Sequence, residues 1–265
     1  MMLTSELNES YSASGVYSPI RIFNEQELSV YKKTIYEHLA LLGNDIEMNC
    51  LGHLHLHFPW AHELANHPRI LELVKAILGE NVLIHGSTLF SKMPGDGKYV
   101  SWHQDGYLRD FTSDEYVTAW LSIEKSTPEN GCLRVIPGTH KKVYKHELIP
   151  EEDNMLAAGL TAVGDFSEDD AIDIVLEPGE MSLHHVNLIH GSSPNLSDIP
   201  RIGYAIRYIT PAVEQRVYHH EVMVASGSYT GSHYKVQHEV PTGDLEACIE
   251  SQKLGMADYI SKRNL

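Results

Sequence analysis

The stretch Asn81-Val82-Leu83-Ile84-His85-Gly86-Ser87-Thr88-Leu89-Phe90-Ser91-Lys92-Met93-Pro94-Gly95-Asp96-Gly97 marks a change in the texture of the chain. Residues Val82 to Met93 form a β-type run, and the Pro-Gly-Asp-Gly that follows ends it in a turn. The same pattern continues downstream. Runs at Tyr99 to His103, Tyr116 to Ile123, Cys132 to Ile136, Ile172 to Leu176, Met181 to Ile189 and Ile202 to Ile209 are separated by signals such as Asn130-Gly131, Pro137-Gly138 and Pro178-Gly179. Short strands punctuated in this way predict a mainly β protein, an antiparallel sandwich or barrel with helices packed outside it.

Upstream of Asn81 the period is helical. Asn24 and Glu27 have capping-box spacing ahead of Leu28, Tyr31, Ile35, Leu39 and Leu42, and Gly43 is placed to stop that helix. Pro68 opens a second helix in which Ile70, Val74, Ile77 and Leu78 form one face before Gly79. The first eighteen residues show no period. Lys141 to Asp170 is acidic and poorly periodic, and is expected to be a long insertion acting as a lid over a barrel mouth. With no internal repeat, low-complexity tract or Pro/Gly/Ser linker, a single domain over residues 1–265 is expected. It comprises a helical part at about 20–80, a barrel core at about 81–211 and the lid at about 141–170.

Composition narrows the classes of function. The 265 residues are 42% hydrophobic and 21% charged, enough for an ordinary globular core. No run approaches the length of a membrane span, and the start Met1-Met2-Leu3-Thr4-Ser5-Glu6 lacks the basic and apolar regions of a secretory signal, so a cytoplasmic protein is expected. Cys50, Cys132 and Cys248 are odd in number, far apart and in no C-x-x-C pair, which argues against a disulfide framework or a thiolate metal site. A formal net charge of -16 repels phosphate backbones and anionic membranes. The expected partner is therefore a small molecule rather than nucleic acid or membrane.

Two segments carry chemistry. In Trp102-His103-Gln104-Asp105-Gly106, which follows a β-type run, an extended chain would point His103 and Asp105 to the same side. H-x-D alone is a weak signal in a chain with 17 histidines. The second segment, His190-Gly191-Ser192-Ser193-Pro194-Asn195, follows another apolar run, with Arg201 eleven positions beyond His190. A third ligand from such a distant strand would complete a facial set of two histidines and one carboxylate, leaving three coordination positions open. Two of these suit the keto-acid end of 2-oxoglutarate and one suits O2. An arginine could then pair with the far carboxylate, and Arg201 is the candidate.

Taken jointly, L-F-S-K-M-P-G, W-H-Q-D-G, V-T-A-W-L-S-I-E, E-N-G-C-L-R-V-I-P-G-T-H and H-G-S-S-P-N-L-S followed by Arg201 resemble the phytanoyl-CoA dioxygenase family of iron/2-oxoglutarate oxygenases, from about His67 to Pro211. The resemblance implies a double-stranded β-helix, a cupin-like jelly-roll barrel with iron near its open end. It implies iron(II) ligation by His103, Asp105 and His190, and salt-bridging of 2-oxoglutarate by Arg201 with help from the Ser192 hydroxyl. It also implies cosubstrate contacts from Thr88 and Trp120. Decarboxylation of 2-oxoglutarate to succinate and CO2 would be coupled to hydroxylation of an unactivated C-H bond in a natural-product intermediate or amino-acid derivative. Desaturation, cyclisation, epimerisation and hydroxylation of an acyl-CoA stay open, as does a non-catalytic cupin-like sensor. Asp105 stands where halogenating members carry a small residue, which favours hydroxylation over chlorination. Tyr107, Arg109 and Asp110, just after the metal motif, are expected to contact substrate, as is His184.

Other readings complete the picture. Leu51-Gly52-His53-Leu54-His55-Leu56-His57-Phe58 alternates like a strand with three imidazoles on one face, either a second metal site or ordinary polar residues. Alternation backward from His190 places Leu188, Val186 and His184 together. Asn130-Gly131 reads as a hairpin turn and Asn195 as a residue that fixes a loop. Arg207 reads either as a second anion partner or as half of a structural ion pair.

Overall fold

A computed structural model describes residues 2–42, 52–107, 111–156, 159–216 and 221–263. The chain begins with α1 (Met2–Ser14), β1 (Val16–Arg21), α2 (Glu25–Leu42), α3 (Leu54–His57), α4 (Pro59–Ala65) and α5 (Pro68–Leu78). Then come β2 (Val82–Lys92), β3 (Val100–His103), β4 (Tyr116–Ser122), β5 (Leu133–Val135), β6 (Lys145–Leu148), β7 (Leu160–Val163) and β8 (Ile172–Ile174). The rest is β9 (Glu180–His185), β10 (His190–Ser192), β11 (Arg201–Ile209), β12 (Glu221–Ser226), β13 (Lys235–Val236) and α6 (Leu245–Arg263).

The strands form a large sheet, β1-β9-β4-β11-β2-β12-β13, a small sheet, β3-β10-β5-β8, and the separate hairpin β6-β7. Strand pairing is antiparallel throughout except between β12 and β13. This is the expected double-stranded β-helix, with its two sheets facing each other across a cavity rather than joined into a closed cylinder.

Strand β11, Arg-Ile-Gly-Tyr-Ala-Ile-Arg-Tyr-Ile, shows how the sequence builds the layers. Alternate side chains leave a strand on opposite faces. Ile202, Tyr204, Ile206 and Tyr208 join the core cluster that includes Leu28 and Ile35 of α2, Trp60 and Leu64 of α4, and Ile70 and Val74 of α5. The Tyr204 and Tyr208 hydroxyls donate to the carbonyls of Ala61 and Ala65 at 3.0 and 2.8 Å, pinning α4 to the sheet. Arg201, Ala205 and Arg207 leave the other face and line the cavity. The strand is buried on both sides because helices cover one face and the small sheet covers the other.

The α2 capping box is present: Glu27 N-H donates to Asn24 Oδ1 and Asn24 N-H to Glu27 Oε2, both at 2.9 Å. The helix over Pro68–Leu78 also stands as expected.

Several expectations change. The first eighteen residues contain α1 and the first half of β1; two anchors, Leu7 and Tyr11, bury that helix, too few to register as a period. Residues 54–57 are helical, not a strand. His55 N-H donates to Ser87 Oγ at 2.9 Å and its Nδ1 also meets that hydroxyl, while His57 Nδ1 meets Ser251 Oγ at 3.0 Å, so the imidazoles diverge. Asn130-Gly131 joins no hairpin, since β4 and β5 belong to different sheets; it ends a 3-10 turn over Pro128–Asn130. Residues Met181 to Ile189 are not one strand. The chain turns after His185, where Leu188 N-H donates to the His185 carbonyl at 2.9 Å, and enters the small sheet at His190. Cys132 and Cys248 are free and buried, and Cys50 lies outside the described residues. Among the described residues no helix is long and apolar enough to cross a membrane.

Candidate metal centre

His103 ends β3 and His190 begins β10, and the two are direct partners across the antiparallel pair, with ring centroids 4.1 Å apart. Opposed residues on neighbouring strands bring their side chains together, which is how positions 87 apart in sequence meet. Asp105 reaches the same point from the turn after β3 rather than from extended chain. Among the described residues these three are the group that could hold a metal, with one ligand atom from each lying within 4.8 Å of the others.

Both imidazoles are oriented the same way. His103 Nδ1 meets the Ser101 carbonyl and His190 Nδ1 the Leu188 carbonyl, each at 2.9 Å. A carbonyl only accepts, so each Nδ1 carries the proton and each Nε2 presents a lone pair. Burial pushes the His190 imidazole well below its ordinary range, helped by His103 and His184, which keeps it neutral. Burial by itself would raise the Asp105 carboxyl. The Arg207 guanidinium and the two histidines outweigh it and hold the group ionised, well below the usual carboxylate range. Asp105 Oδ2 also accepts from the Thr118 hydroxyl at 3.2 Å and lies 3.6 Å from Arg207 Nε. Two imidazole nitrogens and a carboxylate in a buried pocket are a donor set suited to a divalent transition metal with open positions.

A cavity lies between the two sheets. His103, Asp105 and His190 line it together with Trp120, His184, Ser192, Arg201 and Arg207. Arg201 is 1% exposed, aimed by its Nε donating to the Gly131 carbonyl at 3.1 Å and Nη1 to the Phe90 carbonyl at 3.3 Å. Its guanidinium carbon sits 5.2 Å from the Trp120 ring centroid. That ring needs Gly203, since a Cβ there would lie 2.2 Å from it.

Sequence reasoning overlooked Lys92. It stands opposite Arg201 across β2 and β11, is fully buried, and donates from Nζ to Ser192 Oγ and the Ser193 carbonyl, both at 2.6 Å. Burial and the neighbouring Arg201 push its ammonium down to about 6. A lysine in line with Thr88 and Phe90, on an otherwise buried strand, was the signal available.

The remaining expected residues divide. Thr88 does not line the cavity; its hydroxyl accepts from Arg207 Nη1 at 2.9 Å. His184 does line it, although the alternation that pointed to it fails: Leu188 packs between the sheets and Val186 joins a cluster with Tyr116 and Ile209. Tyr107 is 37% exposed and stacks on His146 of β6 at 4.1 Å, outside the cavity lining. Arg109 and Asp110 lie outside the described residues. Asn195 fixes its loop, donating to the Lys92 and Ile199 carbonyls at 3.0 and 2.9 Å.

A family model described as Phytanoyl-CoA dioxygenase (PhyH) matches residues 45–203, more than half of the chain. The chain belongs to the phytanoyl-CoA dioxygenase family. Among relatives in this family, a Stutzerimonas stutzeri protein described as "Probable alpha-ketoglutarate-dependent hypophosphite dioxygenase" is 33% identical over 157 residues, 57% of this chain and 54% of that protein. Human peroxisomal phytanoyl-CoA dioxygenase is 35% identical over 133 residues, 48% of this chain and 39% of that one. The chain thus spans about half the length, or less, of these curated relatives. The apo structure of the non-heme monooxygenase ThoJ shares the fold, with a TM-score of 0.83, 24% identity, and coverage of 97% of this chain and 96% of that one. Phytanoyl-CoA dioxygenase family relatives are alpha-ketoglutarate, that is 2-oxoglutarate, dependent dioxygenases.

Proposed function

We propose that this chain is an iron(II)- and 2-oxoglutarate-dependent hydroxylase of a small molecule, with His103, Asp105 and His190 as the iron ligands. The observation that carries the reading is the convergence of two Nε2 lone pairs and one ionised carboxylate in a cavity that also contains the Arg201 guanidinium. When bound, iron(II) with 2-oxoglutarate and O2 supplies an oxidant for an unactivated C-H bond, with release of succinate and CO2. The chain's own residues hold and orient. Ser101 and Leu188 carbonyls fix the ring tautomers, and Arg207 and Thr118 keep Asp105 charged and aimed. Arg201 would take the far carboxylate of 2-oxoglutarate, with the Ser192 hydroxyl, steadied by Lys92, beside it. Trp120, packed on Gly203, shields that ion pair from water.

Residues 141–170 would serve as the lid of a single domain. Gln104, between two ligands, ties them down: its Nε2 donates to the Lys142 carbonyl at 2.7 Å, and its Oε1 accepts from Tyr144 N-H at 2.8 Å. A natural-product intermediate or amino-acid derivative is the substrate class, and the presence of Asp105 in the ligand set supports hydroxylation over halogenation.

The test is spectroscopic and kinetic. Anaerobic addition of iron(II) and 2-oxoglutarate should produce a weak visible charge-transfer band, and Asp105→Ala should lose both the band and succinate release. A protein that binds neither iron nor 2-oxoglutarate, or a fully active Asp105→Ala, refutes the reading.

A further inference from the structure

We propose that the inner face of the large sheet beside the metal ligands is a receptor for a singly charged oxyanion on the substrate, held between Arg207 and His184. The inference rests on the reading above, that the cavity takes iron(II) and 2-oxoglutarate, and adds the substrate's charge.

The sheet register builds the receptor. His184 of β9 is paired with Thr118 of β4, and Thr118 with Arg207 of β11, so the three stand side by side in one row across the sheet. All three line the cavity. The next inner position along β4 and β11 pairs Trp120 with Ala205 and is apolar. The row stands at the level of the metal ligands: Arg207 Nε lies 3.6 Å from Asp105 Oδ2, and the His184 ring lies 4.8 Å from that of His190.

The groups in this row have unused hydrogen-bonding capacity. His184 is 1% exposed and neither ring nitrogen has a hydrogen-bond partner. Arg207 is 8% exposed, its Nη1 is taken by Thr88, and its Nε is too far from Asp105 for a hydrogen bond. Buried donors are almost always satisfied, so two in one row facing a cavity call for an acceptor from outside the chain. An oxygen between the imidazole N-H and the guanidinium would satisfy both.

Charge sets the sign of that acceptor. The lining carries two guanidiniums, Arg201 and Arg207, against one carboxylate, Asp105. A divalent metal and a dianionic cosubstrate cancel each other, so one buried positive charge stays in excess. Such a charge is costly without a counterion. A neutral or cationic substrate would leave the excess unpaired, whereas a mono-anion completes it. The net charge of -16 does not settle this, since it describes the whole chain and not the cavity.

The experiment titrates the anaerobic iron(II)–2-oxoglutarate complex of the full chain with pentanoate, hypophosphite and pentanamide, following the charge-transfer band and the heat of binding. A saturable shift with either anion and none with pentanamide is expected. A response to pentanoate alone, or to hypophosphite alone, assigns the site to carboxylates or to phosphorus oxyanions. His184→Phe should weaken anion binding about tenfold, the loss of one hydrogen bond to a charged group, while the band forms with the same 2-oxoglutarate dependence. Arg207→Met should remove anion binding, with band intensity reporting whether Asp105 still serves the metal. Equal binding of pentanoate and pentanamide, no response to either anion, or unchanged affinity in His184→Phe overturns the proposal. A band without an anion response sinks this inference alone, whereas no band in the unsubstituted protein sinks the iron reading and this inference with it.

Discussion

At the scale of single residues, the site depends on what small side chains permit. Gly203 lies between Arg201 and Ala205 on the cavity face of β11, and a Cβ there would meet the Trp120 ring at 2.2, 2.5 and 2.9 Å. Atoms do not pack that closely, so Gly203→Ala must displace the indole from its place beside Arg201. Overpacking of this kind costs about 1–3 kcal/mol. The expected outcome is an unfolding free energy in urea lowered by that amount, seen as a lower midpoint, together with a raised KM for 2-oxoglutarate. A variant with an unaltered midpoint and KM would mean that the ring has room to move and does not position the arginine. Lys92 illustrates a different constraint. It faces Arg201 across the strand pair, where like charges repel, and is tolerated because its ammonium is pushed down to about 6 while its Nζ bonds the Ser192–Ser193 turn.

Elements make the site by crossing between sheets. The Asn24–Glu27 capping box fixes the start of α2, whose Leu28 and Ile35 cover the outer face of the large sheet. Asn24→Ala should cost about 1 kcal/mol in chemical denaturation and leave kcat unchanged, because this helix lies across the sheet from the cavity. A fall in kcat without loss of stability would contradict that separation. The capping box was legible in sequence because caps are local, and so were the strands flanked by glycine and proline turns. The grouping of His103, Asp105 and His190 was legible too, as two short segments whose residue types and order resemble a known family. What was not legible is non-local. The corner after His185 reads as continuous strand because Val186, Leu188 and Ile189 are apolar on both sides of the bend. Residues 54–57 alternate polar and apolar but form a helical turn, since Leu54 and His55 are both buried against other elements. β12, with Val222 and Met223 buried, pairs with β2 of the main sheet and went unread beyond the last motif. The Arg207–Thr118–His184 row exists only in the register of three strands, so no single segment carries it.

For the whole molecule, the layer of helices over the large sheet carries a liability in acid. His38 of α2 is 1% exposed, stacks on Phe58 with ring centroids 4.2 Å apart, and has no hydrogen-bond partner for either ring nitrogen. Burial pushes its imidazole down from an ordinary value near 6.5 to about 4. The folded chain therefore keeps this ring neutral at pH values where the unfolded chain has protonated it. Between pH 6.5 and about 4 the unfolded state binds the extra proton, so stability is intact above 6.5 and falls as the pH drops through that window. The slope for one such group is at most about 1.4 kcal/mol per pH unit. His146 and His184, also pushed down to about 4 chiefly by burial, act in the same direction. His38→Phe keeps an aromatic ring against Phe58 and removes the titration, so subtracting the variant's curve from that of the unsubstituted protein isolates His38 from the other histidines. Urea unfolding at pH 7, 6 and 5 should show the two proteins drawing apart as the pH falls, with the variant gaining in relative stability at each step. Parallel curves would place a water or a mobile neighbour at that ring, able to take up its charge in the folded state.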